Sequence, residues 1–175
     1  MRISSGSLKG RVLASPKDAS IMRPTSEKVR AAVFSSLGEI IVGARFLDVF
    51  AGTGAMGIEA YSRGASHITF VEKQPQTLSA NVKLIPDTSA YKIIAGDVFT
   101  VKLTGTYDII YLDPPYATYD SEQLLLHMMP VLADGGVIVL EEATRKQPAA
   151  EAYGVLKCTK ERRYGDTMIQ YWEKE

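Results

Sequence analysis

Four consecutive residues, Asp113, Pro114, Pro115 and Tyr116, combine side chains that could hold a planar amine. The two prolines fix the backbone and donate no amide hydrogen bond, so the strand before them must end in a stiff loop. This loop would hold two acceptors, the Asp113 carboxylate and the Pro114 carbonyl oxygen, beside the ring of Tyr116. Such a set suits a molecule with an exocyclic NH2 group, for example a nucleobase. The same residues, taken alone, fit a proline turn equally well.

A glycine-rich motif lies upstream, between a predicted strand at 46–50 and a helix. Glycines at positions 52, 54 and 57 form the pattern G-x-G-x-x-G, which lets the backbone approach a ligand closely. Two ligands compete for this motif: a dinucleotide, whose pyrophosphate binds at the helix N-terminus, and S-adenosylmethionine, which has no phosphate. Asp48 favours S-adenosylmethionine, because a carboxylate repels a pyrophosphate and attracts an amino group and a sulfonium.

Acidic residues also follow the next predicted strands. Glu72 closes the strand at 67–71 and could accept hydrogen bonds from ribose hydroxyls. Asp97 and Val98 follow the strand at 91–95 and could hold an adenine amino group and pack against its face. Ligands of α/β proteins bind at the carboxyl edge of the sheet, so these acids are expected at one edge with Asp48 and Asp113. The predicted cofactor-binding residues are Asp48, Phe50, Ala51, Gly52, Thr53, Gly54, Gly57, Glu72, Lys73, Asp97 and Val98.

Strands and helices alternate along the chain. Helices are predicted from Thr25 or Ser26 to about Gly43, at 74–85 and at 121–132, and further strands at 107–112 and 137–142. This alternation predicts an α/β fold with a mostly parallel sheet. Two strand-like runs, 155–163 and 167–173, flank a hairpin signature at 164–166. That ending is usual in class I methyltransferases and unusual in dehydrogenases.

We therefore predict a Rossmann-like, mostly parallel seven-stranded sheet with a C-terminal antiparallel hairpin. Residues 1–175 would form one domain, with a basic N-terminal arm or hairpin at 1–25 and the Rossmann-like core at 26–175. No apolar run approaches the length of a membrane span, and the N-terminus lacks the apolar segment of a signal peptide. One cysteine, Cys158, and two distant histidines predict neither a disulfide nor a metal site. The expectation is a cytoplasmic, metal-free monomer.

Charge is distributed unevenly, although the formal net charge is zero. Residues 1–30 contain seven basic and two acidic residues, so they carry +5 and the remaining chain carries −5. This asymmetry predicts a basic arm that contacts RNA phosphates, and its alternative is a solvated terminus without a partner. The predicted RNA-binding residues are Arg2, Lys9, Arg11, Arg23, Lys28 and Arg30.

Six segments together resemble the bacterial 16S ribosomal RNA guanine-N2 methyltransferases of the RsmD type. They are residues 23–30, 48–57, 70–73, 96–99, 112–116 and 163–167. The resemblance covers essentially the whole chain, with departures at Lys28, where the family has arginine, and at Ser35-Ser36, where an Asn-Trp pair is common. It implies transfer of a methyl group from S-adenosylmethionine to the N2 amine of guanine 966. The implied substrate is 16S rRNA, free or within a 30S assembly particle.

Other functions share parts of this pattern. The Asp-Pro-Pro-Tyr motif also occurs in DNA adenine and protein glutamine methyltransferases, so DNA or RNA adenine-N6 methylation stays open. The lack of a sizeable target-recognition domain counts against DNA adenine. A non-catalytic RNA-binding module on a methyltransferase fold is a further alternative, disfavoured by the intact motif and by Asp48. A nicotinamide oxidoreductase is disfavoured by the C-terminal hairpin.

Overall fold

The computed structural model describes residues 1–16, 26–115, 118–144 and 151–175. These residues divide into two compact units, Met1–Val101 and Lys102–Glu175. Two predicted site residues, Arg23 and Tyr116, lie outside the described residues. The single domain at 1–175 stays a prediction.

The first unit is built on three parallel strands. They are β1 (Arg45–Val49), β2 (His67–Glu72) and β3 (Tyr91–Ala95), with β2 between the other two. Val49 pairs with Val71, and Glu72 pairs with Ala95, so the three strands end at the same edge. The interior of β1 is buried without alternation, as in strands that are covered on both faces.

In the described part of the first unit, three α-helices accompany these strands: α1 (Glu27–Leu37), α2 (Ala55–Ser62) and α3 (Gln76–Asn81). Ser26 caps α1, because its side chain accepts a hydrogen bond of 3.2 Å from the amide of Val29. The helix ends earlier than predicted, since Gly38 has a φ of 56° and the chain continues as a 3-10 helix, Gly38–Ile41. The predicted helix at 74–85 likewise consists of α3 and a 3-10 turn, Val82–Leu84.

Residues 1–14, here called the N-terminal hairpin, fold back on themselves. Arg2 and Val12 form an antiparallel bridge. The amide of Ile3 donates to the carbonyl of Arg11 at 3.0 Å, and the amide of Leu13 donates to that of Met1 at 3.0 Å. Ile3 and Leu13 are buried, so apolar packing accompanies the backbone pairing.

The described residues of the second unit form five strands and one α-helix. They are β4 (Tyr107–Leu112), α4 (Ser121–Met128), β5 (Leu132–Ala143), β6 (Ala152–Tyr153), β7 (Leu156–Tyr164) and β8 (Thr167–Lys174). A 3-10 turn, Met129–Val131, joins α4 to β5. β4 and β5 are parallel, whereas β8 pairs antiparallel with β5, β7 with β8 and β6 with β7. The predicted α/β class with parallel strands before a C-terminal antiparallel hairpin is confirmed.

Two details of the second unit correct the prediction. The described residues form eight strands rather than seven, because the two-residue β6 was missed. β5 begins at Leu132 rather than at Val137, since Tyr107 pairs with Leu132 and Ile109 pairs with Val137. The extra residues of β5 form a bulge that contains Gly135, with a φ of 72°, and Gly136. A Cβ atom on Gly136 would lie 2.9 Å from the carbonyl oxygen of Asp108, so glycine is needed there.

Candidate functional site

The loop after β1 begins with a backbone conformation that is rare outside glycine. Phe50 has a φ of 61° and is half-buried. The amide of Ala51 donates to the carbonyl of Val71 at 3.1 Å, and the amide of Gly54 donates to the carbonyl of Ala51 at 2.7 Å. Left-handed backbone at a non-glycine residue costs roughly 1–3 kcal/mol and clusters at ligand sites. This strain supports a functional role for the loop.

Two glycines of the motif allow α2 to pack closely on its neighbours. A Cβ atom on Gly57 would lie 2.3 Å from a ring carbon of Phe70. A Cβ atom on Gly54 would lie 2.5 Å from a methyl group of Leu78, and Gly54 also has a φ of 80°. The glycines therefore fix the shape of the loop through packing, in addition to any approach of a ligand.

Asp48 is a buried acid beneath this loop. Its side chain is 2% exposed, and its Oδ2 atom accepts a hydrogen bond of 2.8 Å from the amide of Gly57. Burial raises the pKa of Asp48 from 3.8 to about 8, against the opposing effect of the Gly57 amide and with a further contribution from the charge of Glu72. The carboxyl is therefore largely protonated at neutral pH when no cation lies nearby.

Glu72 holds the other end of the same loop. Its Oε2 atom accepts a hydrogen bond of 2.8 Å from the amide of Gly52, and its Oε1 atom accepts one of 2.9 Å from the amide of Gln74. Each carboxylate oxygen can accept more than one hydrogen bond, so ribose hydroxyls could still bind. Two predicted site acids thus meet at one glycine-rich loop, because β1 and β2 end side by side.

The segment after β3 continues this edge. The amide of Gly96 donates to the carbonyl of Glu72 at 3.1 Å. Asp97 accepts a hydrogen bond of 2.9 Å from the amide of Phe99, and its other oxygen lies 2.7 Å from the ammonium group of Lys73. Lys73 is thereby placed beside Asp97, while Val98 is 1% exposed. An adenine amino group would share the Asp97 carboxylate with Lys73.

Asn81, a residue that sequence reasoning missed, supports the loop from α3. Its side-chain amide donates to the carbonyl of Thr53 at 2.9 Å, and the side chain is buried at 3% exposure. The available signal was its position, because Leu78, Val82 and Ile85 form the apolar face on which Asn81 also lies. A polar residue on such a face needs hydrogen-bond partners, and here one partner is the glycine loop.

In the second unit, Asp113 and Pro114 directly follow β4 and are half-buried, and Pro115 is exposed. The amide of Thr118 donates to the carbonyl of Pro115 at 3.2 Å. Asp120 then caps α4 by accepting a hydrogen bond of 2.9 Å from the amide of Gln123. The predicted stiff loop between a strand and a helix is present, although Tyr116 lies outside the described residues.

Both ends of this loop are joined to the end of β5, which the sequence did not predict. The hydroxyl of Tyr111, two residues before Asp113, donates to the buried carboxylate of Glu141. The hydroxyl of Ser121, at the start of α4, donates to the carboxylate of Glu142. These bonds hold the loop on either side of the predicted amine-binding residues.

The predicted basic residues separate into an exposed and a buried group. Arg2, Lys9, Arg11 and Lys28 are exposed. Arg30 is 0% exposed, and its guanidinium lies 3.4 Å from a carboxylate oxygen of Glu59. A guanidinium that has no exposed surface cannot contact a phosphate, so the predicted RNA contact of Arg30 is corrected to an internal ion pair.

Glu59 anchors the N-terminal hairpin to α2. This carboxylate, which is 0% exposed, accepts hydrogen bonds from the amide of Ser4 at 2.8 Å, the hydroxyl of Ser4 at 2.6 Å and the amide of Ser5 at 3.1 Å. The guanidinium of Arg63 lies 2.9 Å from the Oε1 atom of the same carboxylate. The exposed bases of the hairpin therefore project from an ordered segment of the first unit.

Membrane spans and metal clusters are both absent from the described part of the chain. No helix there is long and apolar enough to cross a membrane. The same residues contain no group of three or more His, Cys, Asp or Glu side chains that could hold a metal ion.

Known proteins are similar to this chain in sequence. The family model described as Conserved hypothetical protein 95 matches residues 1–173. The Bacillus subtilis (strain 168) protein YlbH is 35% identical over an alignment of 184 residues, which covers 99% of each chain. Ribosomal RNA small subunit methyltransferase D of Escherichia coli (strain K12) is 35% identical over 147 residues, covering 81% of this chain and 74% of the relative.

Solved structures agree with the fold. The Escherichia coli protein yhhF superposes with a TM-score of 0.87 at 27% identity, over 100% of this chain and 98% of that one. SMU.776, solved in complex with SAH, superposes with a TM-score of 0.66 at 15% identity, over 83% of this chain and 48% of that one, and shows the fold alone. With a family model that matches nearly every residue, the chain belongs to the Conserved hypothetical protein 95 family, which is the family of ribosomal RNA small subunit methyltransferase D.

Proposed function

We propose that this protein transfers a methyl group from S-adenosylmethionine to the exocyclic N2 amine of a guanine in 16S ribosomal RNA. The coarser part, methylation of small-subunit rRNA, is supported by the name of the Escherichia coli relative and by shared family membership. The finer part, guanine N2 at position 966, is supported by the family resemblance and by the chemistry of the loop after β4.

The observation that carries the choice of cofactor is the pairing of the loop amides with acids. A dinucleotide-binding loop offers free backbone N–H groups to a pyrophosphate. Here the amide of Gly57 donates to Asp48 and the amide of Gly52 donates to Glu72, at 2.8 Å in both cases. A pyrophosphate would lose these donors and would meet two carboxyl groups. A cofactor with an ammonium group, a sulfonium and ribose hydroxyls meets acceptors instead.

Asp48 and Glu72 would then have different tasks. Glu72 is half-buried and would bind the ribose hydroxyls with its remaining lone pairs. Asp48 is buried, and it would ionise when the cationic end of the cofactor arrives, because a nearby positive charge favours the carboxylate. Asp97 and Lys73 would border the adenine, with the Asp97 carboxylate as the acceptor for its amino group.

The loop after β4 would hold the target amine. The lone pair of a guanine N2 amine is delocalised into the ring, so the amine is a poor nucleophile, whereas the sulfonium methyl is a strong electrophile. Alignment of the two can contribute roughly 7–11 kcal/mol when the geometry is good. Asp113 and the Pro114 carbonyl would each accept one N–H bond, which turns the nitrogen lone pair toward the methyl group.

Charge develops on the amine as the methyl group moves. The carbon–nitrogen bond forms while the carbon–sulfur bond breaks, leaving S-adenosylhomocysteine and a cationic amine. Asp113 would stabilise that positive charge in the transition state, and the extra proton then leaves the nitrogen. Tyr116 would stack on a base that has left its helix, an interaction worth roughly 1–3 kcal/mol.

The exposed bases of the N-terminal hairpin and α1 would bind the RNA backbone. Arg2, Lys9, Arg11 and Lys28 carry no base-reading geometry of their own, and phosphate contacts position an RNA without specifying its sequence. Arg2 already donates to the carbonyl of Gly10 at 3.1 Å, which leaves further guanidinium N–H groups for a phosphate.

The test is methylation of a defined substrate. Purified protein is incubated with methyl-labelled S-adenosylmethionine and with 30S particles, or free 16S rRNA, from cells that lack the family enzyme. The RNA is digested to nucleosides and analysed by mass spectrometry. We expect N2-methylguanosine. Detection of N6-methyladenosine instead would show that the target is adenine and would leave the cofactor assignment intact. No methyl transfer to either substrate would favour a non-catalytic RNA-binding module.

Two variants separate chemistry from binding in the same assay. Asp113→Asn should lower kcat roughly 100-fold or more, since a neutral amide cannot stabilise the developing charge. Asp134→Asn changes an aspartate of the same unit that lies away from this loop in sequence, and it serves as the matched control. Tyr116→Ala should raise KM for RNA about tenfold through lost stacking. Full turnover in Tyr116→Ala with unchanged KM would exclude the stacking role.

A further inference from the structure

The side chain of Asn81 joins two segments that are distant in sequence. Its Oδ1 atom accepts a hydrogen bond of 2.8 Å from the amide of Ala14, and its Nδ2 atom donates to the carbonyl of Ala14 at 3.0 Å. The same Nδ2 atom donates its second hydrogen to the carbonyl of Thr53 at 2.9 Å. One buried amide therefore connects the end of the N-terminal hairpin to the glycine-rich loop.

The orientation of this amide is fixed by its partners. A flipped Asn81 would place its oxygen against the two carbonyl oxygens of Ala14 and Thr53, and its NH2 group against the amide of Ala14. Every one of the three contacts would become repulsive, so the hydrogen bonds determine the assignment. Because Asn81 is 3% exposed, water cannot replace a lost partner readily. A displacement of the hairpin end at Ala14 or of the glycine-rich loop at Thr53 therefore strains the hydrogen bonds of Asn81 to the other segment.

The two connected segments have different ligands in the proposed function. The N-terminal hairpin carries the exposed bases Arg2, Lys9 and Arg11, which would bind RNA phosphates. The loop that contains Thr53 also contains Gly52, which Glu72 holds, and would bind the cofactor. Asn81 contacts both segments, and the proposed function assigns it no ligand contact of its own.

We propose that Asn81 is a positioning residue that couples RNA binding to cofactor binding. RNA that engages the hairpin fixes Ala14, Asn81 transmits that restraint to the carbonyl of Thr53, and the cofactor loop is held in its binding conformation. Coupling of this kind is reciprocal, so the cofactor must raise RNA affinity by the same factor. The proposal rests on the proposed function, since it requires that both ligands bind.

The experiment measures the coupling in both directions. Filter binding of labelled 16S rRNA transcript is carried out with and without saturating S-adenosylhomocysteine, which permits no turnover. Calorimetry measures the affinity for S-adenosylhomocysteine with and without the transcript. For the native chain we expect each ligand to tighten the other at least about fivefold, the lower end of typical allosteric coupling.

Variants at both ends of the connection test the role of Asn81. Asn81→Asp keeps the acceptor for the Ala14 amide and loses both donors, so it should bring the coupling factor close to one. Ala14→Pro removes only the Ala14 amide and leaves the Asn81 bonds to the carbonyls of Ala14 and Thr53, so it should lower the coupling factor by less. Ser66→Ala is the control, because its hydroxyl donates to the carbonyl of Gly43 at 2.7 Å, away from both segments, and its removal should leave the coupling unchanged.

Each outcome decides between explanations. A variant that is less stable but keeps the native coupling factor would overturn the proposal and leave Asn81 as a structural residue. Equal RNA affinity with and without S-adenosylhomocysteine in the native chain would overturn the coupling while the proposed function stands. Failure of the native chain to bind S-adenosylhomocysteine, or to bind either the transcript or 30S particles, would overturn the proposed function, and the coupling with it.

Discussion

Replacement of Asp48 by asparagine should make the protein more stable at alkaline pH and weaken its cofactor binding. The structure supplies the reason, because the carboxyl is 2% exposed and its pKa is raised from 3.8 to about 8. Among the described residues, no lysine or arginine pairs with it. A buried carboxyl without a cation opposes ionisation, and asparagine keeps an oxygen that can accept the Gly57 amide.

The sign of the pH dependence follows from proton binding. Between pH 4 and pH 8 the folded protein keeps the Asp48 proton while the unfolded chain has lost it. The free energy of unfolding should therefore fall with rising pH over this range, at about 1.4 kcal/mol per pH unit. The asparagine side chain does not titrate, so the Asp48→Asn variant lacks this contribution. Between pH 5 and pH 8 the free energy of unfolding of the variant, relative to that of the native chain, should therefore rise by roughly 4 kcal/mol.

The difference in free energy of unfolding between the two proteins at a single pH is less informative than the change of that difference with pH. The new NH2 group of the variant is buried, and an unsatisfied donor costs about 1–3 kcal/mol at every pH. Urea unfolding at pH 5, 6, 7 and 8 at constant ionic strength measures the slope directly. Asp87→Asn is the control, because hydrogen bonds from Ser89 lower the pKa of Asp87 and place its titration below this range. Parallel curves for Asp48→Asn and the native chain would refute the raised pKa.

Cofactor binding supplies an independent readout of the same carboxyl. If the cationic end of S-adenosylmethionine approaches Asp48, the carboxyl must ionise, and about one proton should be released on binding at pH 7. Calorimetry in buffers of different ionisation enthalpy measures that proton. Asp48→Asn should release none and should bind roughly 10–100-fold more weakly, since a hydrogen bond to a charged group is worth about 1.5–3 kcal/mol. Undiminished affinity in the variant would remove Asp48 from the cofactor site.

Further predictions concern the other site residues. Glu72→Ala should weaken the binding of S-adenosylmethionine, as measured by calorimetry, because the ribose hydroxyls lose their acceptor. Tight binding of NAD by the native chain would overturn the assignment of S-adenosylmethionine as the cofactor. Asp113→Asn should lower kcat and leave cofactor affinity within a few-fold, so an equal loss of both would move Asp113 into the cofactor site. Arg2→Ala combined with Arg11→Ala should flatten the salt dependence of RNA binding by about 0.7 per lost contact. Arg45→Ala at the start of β1 is the control, and an unchanged slope in the double variant would show that Arg2 and Arg11 do not contact RNA phosphates.

Strands were predicted well where a run of β-branched and aromatic residues ends at a clear breaker. The bounds of β3 and β4 match the predicted runs, since β-branched and aromatic residues give way to glycine or proline. The start of β5 was missed, because a bulge that contains Gly135 and Gly136 is set by pairing with β4 and has no signature along the chain itself. Helix ends were overestimated where an α-helix continues as a 3-10 turn, a change that hydrophobic spacing does not report.

The candidate acids were predicted because they end neighbouring strands, whereas their partners were not. Hydrogen bonds from the amides of Gly52 and Gly57 depend on the path of the loop, which the glycine pattern alone leaves open. The RNA contact of Arg30 was wrong because a charge count ignores helical position. Arg30 shares a helix face with Val33, Phe34 and Leu37, all of them buried, and that face already indicated a buried side chain.

Glu59 and Asp48 differ in how the protein compensates the charge of a buried carboxyl group. Both carboxyl groups are buried, at 0% and 2% exposure. Glu59 has the guanidinium groups of Arg30 and Arg63 and donors from Ser4 and Ser5, so its charge is compensated within the protein. Asp48 has the amide of Gly57 and no cation among the described residues.

A buried carboxyl without an opposite charge destabilises the fold at neutral pH, and such groups persist where a ligand supplies the missing charge. The imbalance at Asp48 therefore predicts a cationic ligand, and Glu59 needs none. Glu59→Gln should accordingly loosen the N-terminal hairpin and leave S-adenosylhomocysteine affinity without RNA within a few-fold. Hydrogen exchange of the Ser4 and Ser5 amides measures the loosening of the hairpin. Calorimetry measures the affinity for S-adenosylhomocysteine. A large loss of cofactor affinity without RNA in this variant would contradict the division of roles between the two acids.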